Sequence, residues 1–585
     1  MIPSSYKEKL KKYETRLIVF FSNPTVNILW YGLVILLFLS LILFPTIFVL
    51  FYVIREFPTI QTEILASEIY RLQIFQALSY SITVSVIITI IDLIFGLPIA
   101  WILVRREFRF KSILNSIIEL PLAVPTAGLG FSVALFWGVT PGIAEKPIFA
   151  LNFIQDALPI LVLFHFTTTF PYVVRSLAAI LEEIDVTLEV AAKTCGASKF
   201  TAARTVSLPL FRSGVATAMI LSLAKSLSDT GGVMTLLATI GSLKQTGTTV
   251  IGEWKHAYQD WKIDGIPYEK LLENDLASLL PPDPETLLPS MAFMSALMIF
   301  VAIILVFLAK LFAKRAKLPF RKVIPTFEWK ISDGAAPKAR SIFSFGFLII
   351  FVLIPSFFLI IYVFQGIGGL SIIPLNDWII FGQSIIFSVF VASAATIVNV
   401  TLGVPMAIFI ARKNNRFSRI MDSLIDIPYV VPSSALGFSV GLFWTSQIFF
   451  PTNELLFVVF AHISMTFPFI VRNTIGGLSE LDTSYEDAAR SLGAKPIQTF
   501  RNVTLPVVKF SIIAGAIMSF TRSIGETGAT LAVSPNSITA PVFIVDLIKN
   551  QGNYFFAALT TIILILISSL LIFVLRAKAT RRTRR

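Results

Sequence analysis

Long apolar segments alternate with short polar segments along almost the whole chain of 585 residues. A helix needs about 20 apolar residues to cross the hydrocarbon core of a bilayer, and twelve segments come close to that length. The pattern predicts an all-α polytopic membrane protein with about 12 transmembrane helices. The predicted spans run near 28–54, 75–104, 120–138, 157–174, 211–240, 287–309, 343–365, 380–411, 427–446, 455–471, 508–533 and 555–575.

Basic residues concentrate in every second loop. If the N-terminus lies inside, the inner loops and tails hold 38 of the 48 Lys and Arg residues, and the outer loops hold 8. Cytoplasmic loops carry such an excess, so we predict a multi-pass protein of the cell membrane with both termini in the cytoplasm. The net charge of +13 then reflects topology and attraction to membrane lipid, and it does not indicate nucleic-acid binding.

Composition excludes several other classes of protein. Hydrophobic residues make up 55% of the chain and charged residues 14%, against about 25% charged residues in a soluble domain. One cysteine excludes a disulfide framework and a cysteine-based metal site, and three histidines leave little for a metal centre. We expect no metal site and no catalytic residue. The sequence also lacks a Gly-Lys dipeptide, so it has no phosphate-binding P-loop.

The chain contains an internal repeat. Pro121–Trp137 reads PLAVPTAGLGFSVALFW, and Pro428–Trp444 reads PYVVPSSALGFSVGLFW, 307 positions later. Phe170–Arg175 matches Phe467–Arg472 at an offset of 297. Six spans per half is an even number, so both halves enter the membrane in the same direction. The fold prediction is therefore two parallel six-helix repeats, with a transport pathway between the halves.

The repeat and the charge pattern also divide the chain. We predict a cytoplasmic tail, a first six-span half, a basic cytoplasmic linker, a second six-span half and a basic cytoplasmic tail. These cover residues 1–27, 28–312, 313–342, 343–576 and 577–585.

A polar segment before the fifth span of each half carries the strongest motif. The first reads EVAAKTCGASKFTAARTVSLPL (189–210), and the second reads EDAARSLGAKPIQTFRNVTLPV (486–507). Acidic residues upstream favour a helix N-terminus, glycine ends the helix, and proline suits the first turn of the next span. Each half thus presents a helix–glycine–helix element on the same side. The matched positions are Glu189, Ala191, Ala192, Gly196, Leu208 and Pro209, and Glu486, Ala488, Ala489, Gly493, Leu505 and Pro506.

These two segments resemble the EAA loop of ABC-importer permeases, with Val206 and Val503 where that family has isoleucine. The chain resembles the fused permeases of type I importers, which include ferric-iron and thiamine permeases. Sulfate, molybdate and phosphate permeases resemble its single halves. The resemblance implies that the matched residues contact two ATPase subunits through coupling helices, and that an extracytoplasmic binding protein delivers the substrate. ATP and Mg would be bound by the ATPase, and no cofactor by this chain.

Two charge pairs are predicted inside the membrane. Each has a cation four residues before an acid, and the two copies align at an offset of 297. Ionisable groups in hydrocarbon usually face a cavity or a partner. One hypothesis is that the acids and adjacent threonines line or gate the pathway, and the alternative is that the pairs stabilise helix packing. The residues are Lys225, Asp229 and Thr230, and Arg522, Glu526 and Thr527.

Other polar positions favour structural roles. Asp92 aligns with Asn399, and His165 aligns with His462, and we expect each to bond to a neighbouring helix. The longest outer loop, about 241–286, is acidic and is predicted to be solvated, with an external partner as the alternative.

The sequence therefore predicts a permease subunit that moves a small solute inward by alternating access, driven by separate ATPase subunits. The alternative is an ion-gradient-driven secondary transporter that uses the intramembrane acids and histidines. Ferric iron, thiamine and oxyanions all remain open as substrates, and the fused architecture favours iron or thiamine by analogy.

Overall fold

A computed structural model gives the fold of the chain. It describes residues 23–109, 111, 114–115, 118, 121, 124–143, 148–272, 280–281, 283–315, 325–332, 336–368, 373–413, 415–446, 453–534 and 539–581. Within these ranges the secondary structure is helical, apart from one isolated bridge between Gly138 and Ile154. Most of the predicted tail 1–27, the linker positions 316–324 and 333–335, and the last four residues lie outside the described residues.

The predicted all-α polytopic class is confirmed. Among the described residues, eight helices are long and apolar enough to cross a membrane, and the count reaches ten if each of two sharply bent pairs is one span. The eight are Thr25–Arg55, Glu68–Arg105, Ala157–Glu183, Pro284–Phe312, Ser341–Gln365, Leu375–Arg412, Glu454–Ser479 and Pro496–Ile524. The bent pairs are Lys199–Leu210 with Gly214–Ser228, at 71°, and Arg416–Val430 with Ser433–Thr445, at 107°.

The predicted count of about 12 is higher because the sequence pattern includes shorter and broken helices. Thr126–Trp137 and Gly231–Ile240 are apolar but have only 12 and 10 residues. Tyr554–Arg581 forms the last helix of the described chain. The remaining α-helices of five residues or more are Val186–Thr194, Gly247–Lys262, Pro325–Ser332, Thr483–Ser491, Gly528–Val533 and Ala540–Lys549, and Ile60–Leu65 is a short π-helix.

The first span of each half packs against the opposite half. Thr25–Arg55 contacts helix Ser433–Thr445, and Phe38 stacks on Phe467 with ring centroids 5.4 Å apart. In the equivalent way, the first span of the second half, Ser341–Gln365, contacts helices of the first half. The two halves are therefore interlocked rather than placed side by side.

Proline explains how these two spans are held. Pro45 and Pro355 interrupt the helical hydrogen bonds, which frees the carbonyl groups four residues earlier. The Ser464 hydroxyl of the second half donates to Leu41 O (3.3 Å), and the Thr167 hydroxyl of the first half donates to Phe351 O (3.1 Å). Since the bilayer core offers no water to carbonyl groups, each half supplies the bond that the other half's first span has lost.

A second hydroxyl holds each span at the same turn. Ser439 donates to Pro45 O (2.7 Å) and accepts from the N–H of Val49 (2.9 Å). Its counterpart Ser132 donates to Pro355 O (2.5 Å).

The predicted solvated loop at about 241–286 is wrong for its first part. Gly247–Lys262 is a helix, it packs against helices of the second half, and Trp254 is fully buried. Ala540–Lys549 is the matching helix of the second half, and it packs against Gly231–Ile240 of the first half. We call these two the distal helices. Polar residues in the first one concealed it, because a local hydropathy pattern does not show what covers a helix.

Replacing Ser439 by alanine tests the interlock. The change removes two buried hydrogen bonds between the halves, so we expect a stability loss of roughly 0.6–2 kcal/mol, the range measured for interhelical bonds in membranes. A lower thermal midpoint of the purified protein in detergent, measured by intrinsic fluorescence, would show it. Ser479→Ala, at an exposed helical position, is the control and should leave the midpoint unchanged. Equal midpoints for both variants would contradict the interlock.

Candidate functional site

The two motif segments each form a short exposed helix. These loop helices are Val186–Thr194 and Thr483–Ser491. Asp185 accepts from the N–H of Thr187 (2.9 Å), which caps the first loop helix and holds the pKa of Asp185 below its ordinary value. Asp482 caps the second loop helix in the same way, with the same direction of pKa shift.

Glycine ends both loop helices, as the sequence predicts. Gly196 and Gly493 have φ values of 89° and 86°, in the left-handed region that glycine adopts without strain. Pro209 and Pro506 lie in the first turn of the helical segments that follow. The predicted helix–glycine–helix element is confirmed in both halves.

Glu189 of the first loop helix points into the protein. Its Oε1 lies 2.9 Å from Nε of Arg105, at the end of the long helix Glu68–Arg105, and accepts from the Ser207 hydroxyl at 2.8 Å. Both charged side chains are buried. Glu189 therefore fixes the loop helix to the membrane-spanning helices, and other side chains form its outer surface. About half of each of the following is exposed: Val186, Leu188 and Val190.

The second loop helix has the same anchor and a different surface. Glu486 Oε2 lies 3.1 Å from Nε of Arg412, and Glu486 Oε1 accepts from Thr504 at 2.8 Å. The exposed apolar residues here are Tyr485 and Leu492. Ala191 and Ala488 are exposed, and Ala192 and Ala489 are half-buried, so the Ala-Ala pairs lie beside both outer surfaces.

The linker adds a helix beside the first loop. Pro325–Ser332 packs against residues 199–202, and Glu328 is buried there. Arg204 Nη2 lies 2.7 Å from Glu328 Oε1, and Thr201 donates to the same carboxylate. Arg501, the counterpart of Arg204 in the second loop, is exposed. The two loops are therefore duplicated in sequence but different in surroundings.

The fifth and eleventh predicted spans are broken inside the membrane, which corrects the continuous spans 211–240 and 508–533. Arg212–Ser228 ends before Asp229, and a new helix begins at Gly231. Leu505–Ile524 ends before Gly525, and a new helix begins at Gly528. We call Gly231–Ile240 and Gly528–Val533 the post-break helices.

The acids of the predicted charge pairs cap these post-break helices. Asp229 Oδ1 accepts from the N–H of Gly232 (3.1 Å), and Glu526 Oε1 accepts from the N–H of Ala529 (2.9 Å). Each acid is also paired with its cation: Lys225 Nζ lies 3.4 Å from Asp229 Oδ2, and Arg522 contacts Glu526. The acids thus satisfy backbone groups that hydrocarbon cannot, and the cations neutralise them.

The two breaks meet between the halves. A Cβ atom built on Gly231 would lie 2.3 Å from Thr527 Cβ, and one built on Gly528 would lie 2.5 Å from Thr230 Oγ1. Only glycine permits this approach, since real side chains do not come so close. The two halves are therefore in direct reciprocal contact at the breaks.

A cavity of about 1080 Å³ lies between the halves, on the side of the breaks that leads towards the loop helices. It is lined from both halves, and Pro121, Thr126, Tyr172 and Tyr429 are among its residues. Asp426 is the single acidic residue among the described lining. The basic lining residues are Arg175, Lys225, Lys310, Arg472 and Arg522.

The cations are placed on the cavity side of the break. Lys225 and Arg522 line the cavity, whereas their acids Asp229 and Glu526 do not. Arg472 is paired with Asp422 and Asp426, each at 2.6 Å. The side chains that reach the cavity are therefore mainly basic, although acids behind the wall pair with three of them. A cleft lined by basic side chains favours anions over cations.

Asp92, Asn399 and His462 bond to other helices. Asp92 Oδ2 accepts from Thr169 and Ser222, both at 2.6 Å. Asn399 donates to Thr466 at 2.8 Å. His462 bridges the Ser523 and Thr530 hydroxyls at 2.7 and 2.9 Å. These contacts confirm the structural expectation for all three residues. In the described part of the chain, no three His, Cys, Asp or Glu side chains are grouped so that they would hold a metal ion.

Sequence reasoning missed Arg175, Arg472 and Lys310 as cavity residues. The two arginines end the repeated segments Phe170–Arg175 and Phe467–Arg472, so the repeat carried a signal for them. Lys310 carried none, because a lysine near a helix end ordinarily faces lipid headgroups.

Comparison with known proteins gives one family match and several relatives. A family model described as binding-protein-dependent transport system inner membrane component matches residues 92–318 and 403–585, once in each half. Over 206 residues, 35% of this chain, the sequence is 32% identical to the molybdate/tungstate transport system permease protein WtpB of Pyrococcus furiosus, covering 81% of that protein.

Sulfate permeases are also similar. The chain is 32% identical over 215 residues to the probable sulfate transport system permease protein cysT of Chlorokybus atmophyticus, which covers 34% of this chain and 75% of the relative. It is 33% identical over 155 residues to the sulfate transport system permease protein CysT of Salmonella typhimurium, which covers 25% of this chain and 56% of the relative. Each alignment spans no more than about one half of the tandem chain.

Glu189→Gln tests the inward anchor of the first loop helix. The substitution leaves the buried Arg105 without its counter-charge, and breaking a buried pair of this kind costs about 3 kcal/mol or more. We expect faster hydrogen–deuterium exchange over residues 186–194, with the second loop helix unchanged as an internal reference.

Glu183→Gln is the matched control, because Glu183 is exposed near the same loop. If Glu189→Gln and Glu183→Gln give the same exchange in the first loop helix, Glu189 does not anchor it.

Proposed function

Because this chain belongs to the family of binding-protein-dependent transport system inner membrane components, we propose that it is a membrane-spanning permease subunit of an ATP-binding-cassette importer. The family model matches each half once, so one chain would supply both permease units. It would move a small solute inward by alternating access, in the cell membrane, with both termini in the cytoplasm. An extracytoplasmic binding protein would deliver the solute.

Two ATPase subunits would drive the cycle through the loop helices, which act as coupling helices. Both loop helices carry exposed apolar side chains, and both are fixed by a buried ion pair to long membrane-spanning helices. A displacement of a loop helix would therefore be transmitted to the membrane-spanning helix with which it forms an ion pair. The chain has no P-loop of its own, so ATP and Mg would be bound by the partner.

The substrate class that the cavity supports best is a small oxyanion. The main support for this proposal is the cavity lining, which has five basic residues and one acidic residue among its described members. Ferric iron and thiamine are cations, and a cationic wall would repel them. The names of the relatives point the same way, since they are molybdate/tungstate and sulfate permeases. We therefore propose an oxyanion in place of the preference for iron or thiamine that the fused architecture gives.

Ion-gradient-driven transport is less well supported. Asp229 and Glu526 each cap a helix and pair with a cation, so neither is available to a coupling ion without breaking those contacts. The paired loop helices also have no role in that mechanism.

The single native cysteine gives a direct test of the ATPase contact. Cys195 is exposed at the end of the first loop helix. We expect maleimide labelling of Cys195 to fall at least about tenfold when the cognate ATPase is assembled, because the docked subunit would exclude the reagent. Labelling should return after the ATPase is stripped with urea.

The control is Leu243→Cys in a Cys195→Ser background. Leu243 is exposed and lies three residues after the first post-break helix, Gly231–Ile240, ends. It should label equally with and without ATPase. Unprotected Cys195 in a complex shown to contain the ATPase would exclude this docking surface.

Lys310→Glu tests the oxyanion assignment. Lys310 lines the cavity and is exposed, so its reversal adds a repelling charge without removing a buried ion pair. In proteoliposomes with the ATPase and the binding protein, we expect molybdate or sulfate uptake to fall about threefold or more at low salt. The effect should shrink at high salt, because ions screen exposed charges.

Lys330→Glu, on the exposed linker helix, is the matched control. Uptake that rises in Lys310→Glu, or a wild-type protein that imports thiamine and no oxyanion, would reject the assignment.

A further inference from the structure

The geometry points to an anion-binding site at the meeting point of the two breaks, formed by the Thr230 and Thr527 hydroxyls with Lys225 and Arg522 behind them. Its ligand would be a tetrahedral oxyanion that has lost its water shell and is passing between the halves. This inference rests on the proposed importer function and adds to it the place where the substrate is held.

Both hydroxyls are buried and have no partner. Thr230 is 1% exposed and Thr527 is 0% exposed, and neither Oγ1 atom makes a hydrogen bond. Buried hydroxyls in native proteins usually find an acceptor or a donor. On the first post-break helix, the nearby Thr235 does so by donating to Ala127 O at 2.7 Å.

The acids have taken over the role that these threonines would ordinarily have. Thr230 and Thr527 occupy the N-cap positions of the post-break helices, where a threonine oxygen commonly accepts from an N–H of the first turn. Those N–H groups instead donate to Asp229 and Glu526. The hydroxyls are thereby left free for a ligand, in both halves and at the same position.

The position of the hydroxyls also fits a passing ligand. Each threonine packs against the glycine of the opposite break, so the pair blocks the centre when the halves are closed. Ser433 lies in the same contact, because its Oγ would be 2.7 Å from a Cβ on Gly528, and it donates to Ser228 O. When the halves separate at this level, the hydroxyls on either side would face each other across the opening.

The adjacent cations complete the site. Lys225 and Arg522 line the cavity, and each lies five residues before its threonine in sequence. An oxyanion that leaves water needs donors and positive charge in its place. The hydroxyls supply donors from two sides, and Lys225 and Arg522 supply positive charge while each stays paired with its acid. Asp229 and Glu526 remain bonded to the helix N-termini.

The test is the double substitution Thr230→Val and Thr527→Val, which removes both hydroxyls and keeps the side-chain shape. In proteoliposomes with the ATPase and the binding protein, we expect molybdate and sulfate uptake to fall at least about tenfold. ATP hydrolysis stimulated by the loaded binding protein should stay within about twofold of the wild type, because closure of the halves depends on shape. Thr230→Ser with Thr527→Ser keeps the hydroxyls and should retain uptake.

Thr560→Val is the matched control, since Thr560 is a fully buried hydroxyl without a partner on the last helix. It should leave both rates unchanged. Normal uptake by the double valine variant would overturn the site, and so would a parallel loss of uptake and ATP hydrolysis, which would indicate a purely structural role. A wild-type complex that hydrolyses ATP and imports no oxyanion would refute the proposed substrate class instead.

Discussion

The structure depends on one constraint, which is that hydrocarbon offers no water to a broken helix. At the prolines of the two first spans and at the two central breaks, a side chain supplies the missing hydrogen bond. Carbonyl groups freed by proline in the first span of each half accept from hydroxyls of the opposite half, as Leu41 does from Ser464. N–H groups at the start of the post-break helices donate to Asp229 and Glu526. The first kind of repair locks the two halves together, and the second brings acids and their cations to the centre.

The intramembrane charges follow from that repair. A capping carboxylate in the membrane needs a counter-charge, and a cation one turn earlier on the same chain supplies it. Lys225 and Arg522 line the cavity, whereas their acids do not. The acids cap helices and pair with the cations, which agrees with a packing role. A pathway role for these residues stays a prediction.

Duplication has not kept the two halves equal. His462 bridges two hydroxyls, whereas Nδ1 of its counterpart His165 has no partner. Asp92 stands where the second half has Asn399. The linker helix covers Arg204 of the first loop through Glu328, and Arg501 of the second loop is exposed. One chain that contains both halves can diverge in this way, because each half always meets the same partner.

Much of the site was visible as local pattern. The cation–acid pairs were predicted from a spacing of four residues, and the contacts Lys225–Asp229 and Arg522–Glu526 are present. The spacing did not show that each helix ends just before the acid, or that a new short helix begins two residues after the acid. Glu189 was placed in the loop motif, but its inward direction is set by Arg105, 84 residues earlier in the chain. A motif fixes which residues are present, and the direction of a side chain depends on what the fold brings beside it.

The sequence by itself determined the membrane class, the internal repeat, the helix–glycine–helix loops and the pairing of charges, because hydropathy, helix capping and i,i+4 contacts are all local. Only the tertiary structure decided that each first span packs against the opposite half and that the distal helices are buried. It also decided the contact of Thr230 with Gly528 and the basic lining of the cavity. These features arise between segments that are far apart in the chain. Their physical cause is the pairing of surfaces and polar groups across the two halves, which no local pattern specifies.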